Sequence, residues 1–79
     1  MDQIEKFIRR LDKNLALKLM LVLQDVSNLK LANYDYKKMK GFQDLFRIRI
    51  GKIRIIFKKT KTHGQTVYIE FRGKVYKKF

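Results

Sequence analysis

From Phe46 to Phe57 the chain reads Phe-Arg-Ile-Arg-Ile-Gly-Lys-Ile-Arg-Ile-Ile-Phe. Apolar and basic residues alternate on either side of one glycine, which is the period of a half-buried strand and not of a helix. With Gly51-Lys52 as the turn, Ile50 faces Ile53, Arg49 faces Arg54, Ile48 faces Ile55 and Phe46 faces Phe57. One face of this hairpin is wholly apolar. The other gathers Arg47, Arg49, Arg54 and Lys58. Like charges directly opposite each other weaken a sheet, and an anionic ligand lying between Arg49 and Arg54 would remove that cost. The competing reading is a solvated positive face that repels the edges of other sheets.

Charge sharpens the question. Twenty Lys and Arg against seven acids leave a formal charge of +13 on 79 residues. Residues 1–40 hold nine basic and five acidic side chains, a net +4, while residues 41–79 hold eleven and two, a net +9. Such crowding destabilises a small domain unless an anionic partner compensates it. Nucleic acid, an anionic membrane surface and an acidic protein are the candidates. Nucleic acid is favoured, because the charge lies on alternating strands and not along an amphipathic helix.

Length allows one domain, 1–79, with a core only marginally sufficient for its size. There is no cysteine, so a cytoplasmic setting is the default expectation. The longest apolar run, Leu19 to Leu23, is too short to cross a bilayer, and no signal segment is read at the start. Asp2-Gln3-Ile4-Glu5 has capping-box spacing, and Ile4, Phe7, Ile8 and Leu11 follow on one helical stripe. Asp12-Lys13-Asn14 interrupts that helix. Asn14 is the expected cap of a second one, from Leu15 to about Leu29, with Leu15, Leu19, Val22, Val26 and Leu29 as its stripe. Leu17, Met20 and Leu21 widen the stripe, either as core or as a contact with a second chain. Met20 and Met39 are expected as core filler.

Leu31 to Tyr36 is expected as a loop, and Lys37-Lys38-Met39-Lys40-Gly41 as the lead into the hairpin. Lys58 to Thr66, with the lone His63, contains no apolar residue and reads as an exposed connection. A further strand is expected over Thr66–Arg72, with Val67, Ile69 and Phe71 inward and Tyr68, Glu70 and Arg72 outward. The order helix, helix, three antiparallel strands predicts an α+β fold, two N-terminal helices packed on a small antiparallel sheet. No cofactor or metal is expected: histidines and cysteines are too few, and the four glycines are too scattered for a phosphate-binding loop.

Four segments carry a family resemblance: Lys37-Lys38-Met39-Lys40-Gly41, Leu45-Phe46-Arg47-Ile48-Arg49-Ile50-Gly51, Arg54-Ile55-Ile56-Phe57 and Arg72-Gly73-Lys74-Val75-Tyr76-Lys77. Together they resemble the RelE/ParE superfamily of toxins of type II toxin–antitoxin systems, closest to the RelE-like mRNA interferases. The resemblance implies a toxin neutralised by an acidic cognate antitoxin. In the RelE branch it implies an endoribonuclease that cleaves messenger RNA on the ribosome, with messenger and ribosomal RNA as partners. In the ParE branch it implies an inhibitor of DNA gyrase without nuclease chemistry. Arg47 and Arg49 fall where RelE-like nucleases keep basic residues on the first hairpin strand, and Arg54 falls on an arginine of the second. Tyr76 matches a tyrosine near the C-terminus and Arg72 a basic position on the last strand. Glu70 stands where such an enzyme has another arginine, and Val75 where some relatives have a histidine. The usual strand before the first helix is missing, which leaves a sheet edge open to an antitoxin or to a second copy. The missing first strand and Glu70 also fit a decayed toxin that only binds its antitoxin.

The chemistry can be framed without the family. RNA cleaves itself through its 2′-hydroxyl, so a protein need only activate that oxygen, hold the phosphate in line and neutralise the phosphorane. Arginine suits the last task, because its forked donors match phosphate oxygens and stay charged. Arg54 and Arg49 are the expected phosphorane-binding groups, with Arg47 holding the strand. Tyr76 is expected to stack on a base or move a proton. Glu70 serves as general base, or else as a salt-bridge partner of Arg72 or Arg54. Lys52, Lys58, Arg72, Lys74 and Lys77 complete the expected nucleic-acid surface.

Overall fold

Asp2 starts the first helix as its capping-box position predicts: its carboxylate accepts the backbone N–H of Glu5 at 2.8 Å. The computed structural model describes residues 2–71. Its elements are α1 (Gln3–Arg9), α2 (Lys13–Ser27), β1 (Asp35–Lys38), β2 (Leu45–Ile50), β3 (Ile53–Lys59) and β4 (Gly64–Phe71). The fold is α+β, with both helices on one face of a four-stranded antiparallel sheet of order β1-β2-β3-β4. No helix among the described residues is long and apolar enough to cross a membrane.

Three sequence expectations need correction here. The cap of α2 is Asp12, not Asn14, because the carboxylate two residues earlier reaches the Leu15 N–H at 2.9 Å. The sheet has four strands and not three: Asp35–Lys38, expected as loop and lead-in, pairs with Arg49–Phe46 as an edge strand. Its four side chains are all exposed, so it carries none of the alternation that betrays a half-buried strand. The supposed connection from Lys58 to Thr66 is mostly strand as well, leaving Thr60–His63 as the turn between β3 and β4. There Thr60 accepts the His63 N–H at 3.1 Å and donates its hydroxyl to the His63 carbonyl at 2.9 Å. A charged hairpin hides its strands from a hydropathy pattern.

The β2–β3 hairpin follows the expected register, Ile50 to Ile53 through Phe46 to Phe57. Gly51 at the first turn position has φ 57°, a conformation that costs glycine little. Ile48, Ile53, Ile55, Phe57 and Ile69 bury their side chains on the helix side of the sheet. Phe7, Leu19, Val22 and Val26 from the helices and Leu31 meet them. Burying one such side chain stabilises by about 1.5–3 kcal/mol. Both helices lie mainly against β4, and Phe7 packs on Phe71 with ring centroids 4.8 Å apart. Gly64 sits where the backbone of α2 comes closest, so that a Cβ there would lie 2.3 Å from the Val26 carbonyl oxygen.

Leu17, Met20 and Leu21 are exposed, so of their two expected roles the wider core stripe is not met, and Met20 is not core filler. The helix turns Leu19, Val22 and Val26 inward, and those three cannot share a face with the other set. The turn after α2 closes with the Lys30 N–H on the Asp25 carbonyl at 2.8 Å and the Leu29 N–H on the Val26 carbonyl at 3.1 Å. That pairing is a Schellman motif, with Leu29 at φ 56°.

One edge expectation is also corrected. The β4 edge is not left open at Ile69: the Gln3 side-chain amide donates to the Ile69 carbonyl at 2.6 Å and accepts its N–H at 3.1 Å. A side chain thus satisfies the two backbone groups that a further strand would have paired.

Candidate nucleic-acid interface

The face of the sheet turned away from the helices is built from the second half of each alternation. Strand register sets its side chains in rows across the four strands. One row runs Asp35, Arg49, Arg54, Glu70. The next runs Lys37, Arg47, Ile56, Tyr68. Beyond it, Leu45 lies opposite Lys58 and Lys58 opposite Gln65. The three expected arginines therefore do share one face, with Arg49 and Arg54 as direct register partners.

Glu70 decides how two of them behave. The Arg54 Nε donates to Glu70 Oε2 at 2.6 Å and Nη2 donates to the same oxygen, so the pair crosses from β3 to β4. Both side chains are partly exposed, which keeps the net worth of the pair small. Among the described residues the salt-bridge partner of Glu70 is thus Arg54, while Arg72 lies outside them. A guanidinium has five N–H donors, so Arg54 keeps donors that this carboxylate does not take, Nη1 among them. Lys58 is the other cation held by an acid, 3.6 Å from the Asp44 carboxylate. These are the ion pairs among the described residues. Arg47, Arg49 and Lys37 belong to neither.

Arg47 has the more unusual environment. Its Nη1 is sealed from solvent and has no hydrogen-bond partner among the described residues. A buried donor without an acceptor costs about 1–3 kcal/mol, more when charged. Arg49, by contrast, is exposed. It borders an open groove shared with Lys18, Asp25, Tyr34 and Asp35. In that groove the Tyr34 hydroxyl donates to Asp25 Oδ2 at 2.5 Å. This hydrogen bond, with burial and the nearby negative charge, pushes the phenol above its ordinary value.

The outer face also carries an apolar patch that the sequence pattern does not reveal. Val67 was expected to point inward, yet it is 43 % exposed, as is Tyr68. The cause is an irregularity in register: Ile56 pairs with Tyr68 but Phe57 pairs with Thr66, so Val67 is an extra residue. This is a β-bulge. With Thr66 and Ile69 on the helix side, the two residues between them fall together on the outer side. Ile56, Val67 and Tyr68 thus adjoin, one strand away from Arg47.

Of the other sequence candidates, Lys52 is exposed at the tip of the β2–β3 turn. Arg72, Lys74, Tyr76 and Lys77 lie outside the described residues. Sequence reasoning missed Lys37, which register places beside Arg47, and Tyr68 as part of a patch. Recognising Asp35–Lys38 as a strand would have found the first. Nothing local marks the second. No group of three or more His, Cys, Asp or Glu able to hold a metal ion occurs among the described residues. Compared with family models, with curated proteins and with solved structures, the chain matches none.

Proposed function

We propose that this chain receives an RNA strand across the outer face of its sheet and, as a RelE-like toxin, cleaves messenger RNA on the ribosome. The observation that carries the reading is the placement of Arg47, Arg49 and Arg54 on one face of the sheet, with Arg49 directly opposite Arg54. Folding alone gains nothing from two opposed arginines; a phosphate backbone satisfies both. The net charge of +13 supports the same partner.

In this reading the 2′-oxygen attacks the adjacent phosphorus and the bond to the 5′-oxygen breaks. The products are a 2′,3′-cyclic phosphate and a 5′-hydroxyl. The proton lost by the 2′-hydroxyl goes to a base, for which Glu70 is the carboxylate at hand. A proton is returned to the leaving oxygen, the role expected of Tyr76. Arg49 and the donors of Arg54 that Glu70 does not take meet the charge that builds on the phosphorane. An acidic antitoxin would neutralise the same face.

Sequencing of transcript ends after induced expression tests this. Wild type should produce new cleavage ends within translated messages, and Arg54→Ala should reduce them by about 10²–10³-fold, the usual loss for one oxyanion-type donor. No new ends with soluble wild-type protein would overturn the nuclease reading. The engagement of Arg54 by Glu70 favours a second reading, a ParE-like inhibitor of DNA gyrase that binds without cleaving. Induction would then raise DNA-damage signalling while translation continues. Normal growth in both assays would point to a decayed toxin.

A further inference from the structure

The geometry points to a nucleobase-stacking subsite formed by Tyr68 on Ile56 and Val67, beside the arginines of the outer sheet face. It rests on the RNA reading above and adds the contact that holds a base, where the arginines hold only phosphate. Three observations carry it. First, Tyr68 and Val67 are each 43 % exposed, so apolar side chains face water on β4, at one side of a face that carries the arginines. Second, that area exists because of the bulge opposite Ile56 and Phe57. Without the bulge, strict alternation from Ile69 would turn Val67 inward and leave Tyr68 with only Ile56 beside it. Bulges recur where a strand has to re-aim a side chain at a site.

Third, the spacing suits a nucleotide. Tyr68 shares its row with Ile56 and Arg47, and neighbouring strands lie about 4.8 Å apart. Arg47 is therefore roughly 10 Å from Tyr68 across the sheet, and Arg54 is two residues along β3 from Ile56, about 6.8 Å. These separations are of the order of the reach from a phosphate across its sugar to its base. An aromatic ring beside guanidinium groups is the combination that binds single-stranded nucleic acid with little sequence preference.

A protein segment as occupant has less in its favour. Residues 72–79 carry four basic and no acidic side chains, so they have no charge complementarity with Arg47, Arg49 and Lys37. A single strand of nucleic acid offers both a flat ring for Tyr68 and anions for the arginines.

Full-length protein titrated with a short labelled single-stranded RNA, and separately with inorganic polyphosphate, tests the subsite. Fluorescence anisotropy reads both. Tyr68→Ala should weaken RNA binding by about 5- to 150-fold, the range for losing one stacked base. Binding of polyphosphate should not change, since it has no base. The slope of affinity against salt should also be unaltered, because stacking releases no counterions. Tyr68→Phe and Tyr68→Trp should restore RNA binding, and Arg49→Ala should weaken both ligands. If Tyr68→Ala binds RNA like wild type while Arg49→Ala does not, the stacking subsite is refuted and the RNA reading survives. Wild type that binds polyphosphate but no RNA, or neither, overturns both.

Discussion

Replacing Glu70 by Gln separates what its carboxylate does for the fold from what it does for the site. Glutamine keeps the shape of the side chain and can still accept one hydrogen bond from Arg54, but the negative charge is gone. The Arg54–Glu70 pair is partly exposed on both sides, so its loss should lower stability by only about 0.2–1 kcal/mol. The effect on an anionic ligand should be larger and of opposite sign. Freed of its partner, Arg54 can neutralise one more phosphate. Each contact to a single strand contributes a slope of about −0.7 in log K against log salt. At roughly 0.1 M salt, a decade below the usual 1 M reference, one added contact is then worth about fivefold in affinity. Titrating a single-stranded RNA at several salt concentrations should show tighter binding by that factor and a steeper slope.

Cleavage by the same variant reports on a separate role. If the carboxylate takes the 2′-hydroxyl proton, Glu70→Gln should lose about 10²–10⁴-fold in cleavage while binding tighter. If it only holds Arg54 in place, cleavage should change little. Weaker RNA binding with an unchanged salt slope would refute the reasoning, because it would mean that Arg54 reaches phosphate only when the carboxylate orients it, or never reaches it.

Three further perturbations probe the scaffold. The phenol of Tyr34 is raised above its unfolded value of 10.0 by its hydrogen bond to Asp25, so the native state holds this proton longer than the unfolded chain. Its contribution to stability is complete below about pH 10 and is lost as pH rises through the native value; urea unfolding should show that alkaline loss, and Tyr34→Phe should remove it. Gly64→Ala places a Cβ 2.3 Å from the Val26 carbonyl oxygen, and should destabilise by about 1–3 kcal/mol as β4 and α2 are pushed apart; an unchanged melting temperature would mean that the contact relaxes freely. Gln3→Ala removes both hydrogen bonds to Ile69, at about 0.5–1.5 kcal/mol each, and bares that edge, so light scattering should report more concentration-dependent association than in wild type.

The parts of this fold legible in the sequence are those in which one face is apolar and the other is not. The β2–β3 hairpin alternates strictly, and its register comes out residue for residue. The start of α1 is legible for a different reason, since a capping box is a local hydrogen bond with fixed spacing. β1 fails both criteria. All four of its side chains are exposed, and it is a strand only because β2 offers it a partner. The adjoining ends of β3 (Lys58, Lys59) and β4 (Gly64, Gln65, Thr66) likewise offer no apolar alternation to read. Asp12 and not Asn14 caps α2 because its side chain is the one that reaches an N–H, a difference of two residues or about half a turn of helix.

The candidate site divides along the same line. Shared placement of Arg47, Arg49 and Arg54 needs nothing but alternation and a two-residue turn, so it could be anticipated. The partner of Glu70 needs the register between β3 and β4. That register contains a bulge, and a one-residue slip reverses every side chain beyond it. Counting outward from Ile69 places Glu70 correctly beside Arg54. Counting on through Val67 puts that valine in the core, where it is not. The residue that escapes alternation is therefore the one that turns Tyr68 and its apolar neighbours into a single surface. A binding function for that surface would explain why a small, strongly charged domain exposes them, whereas core packing would have been better served by a regular strand.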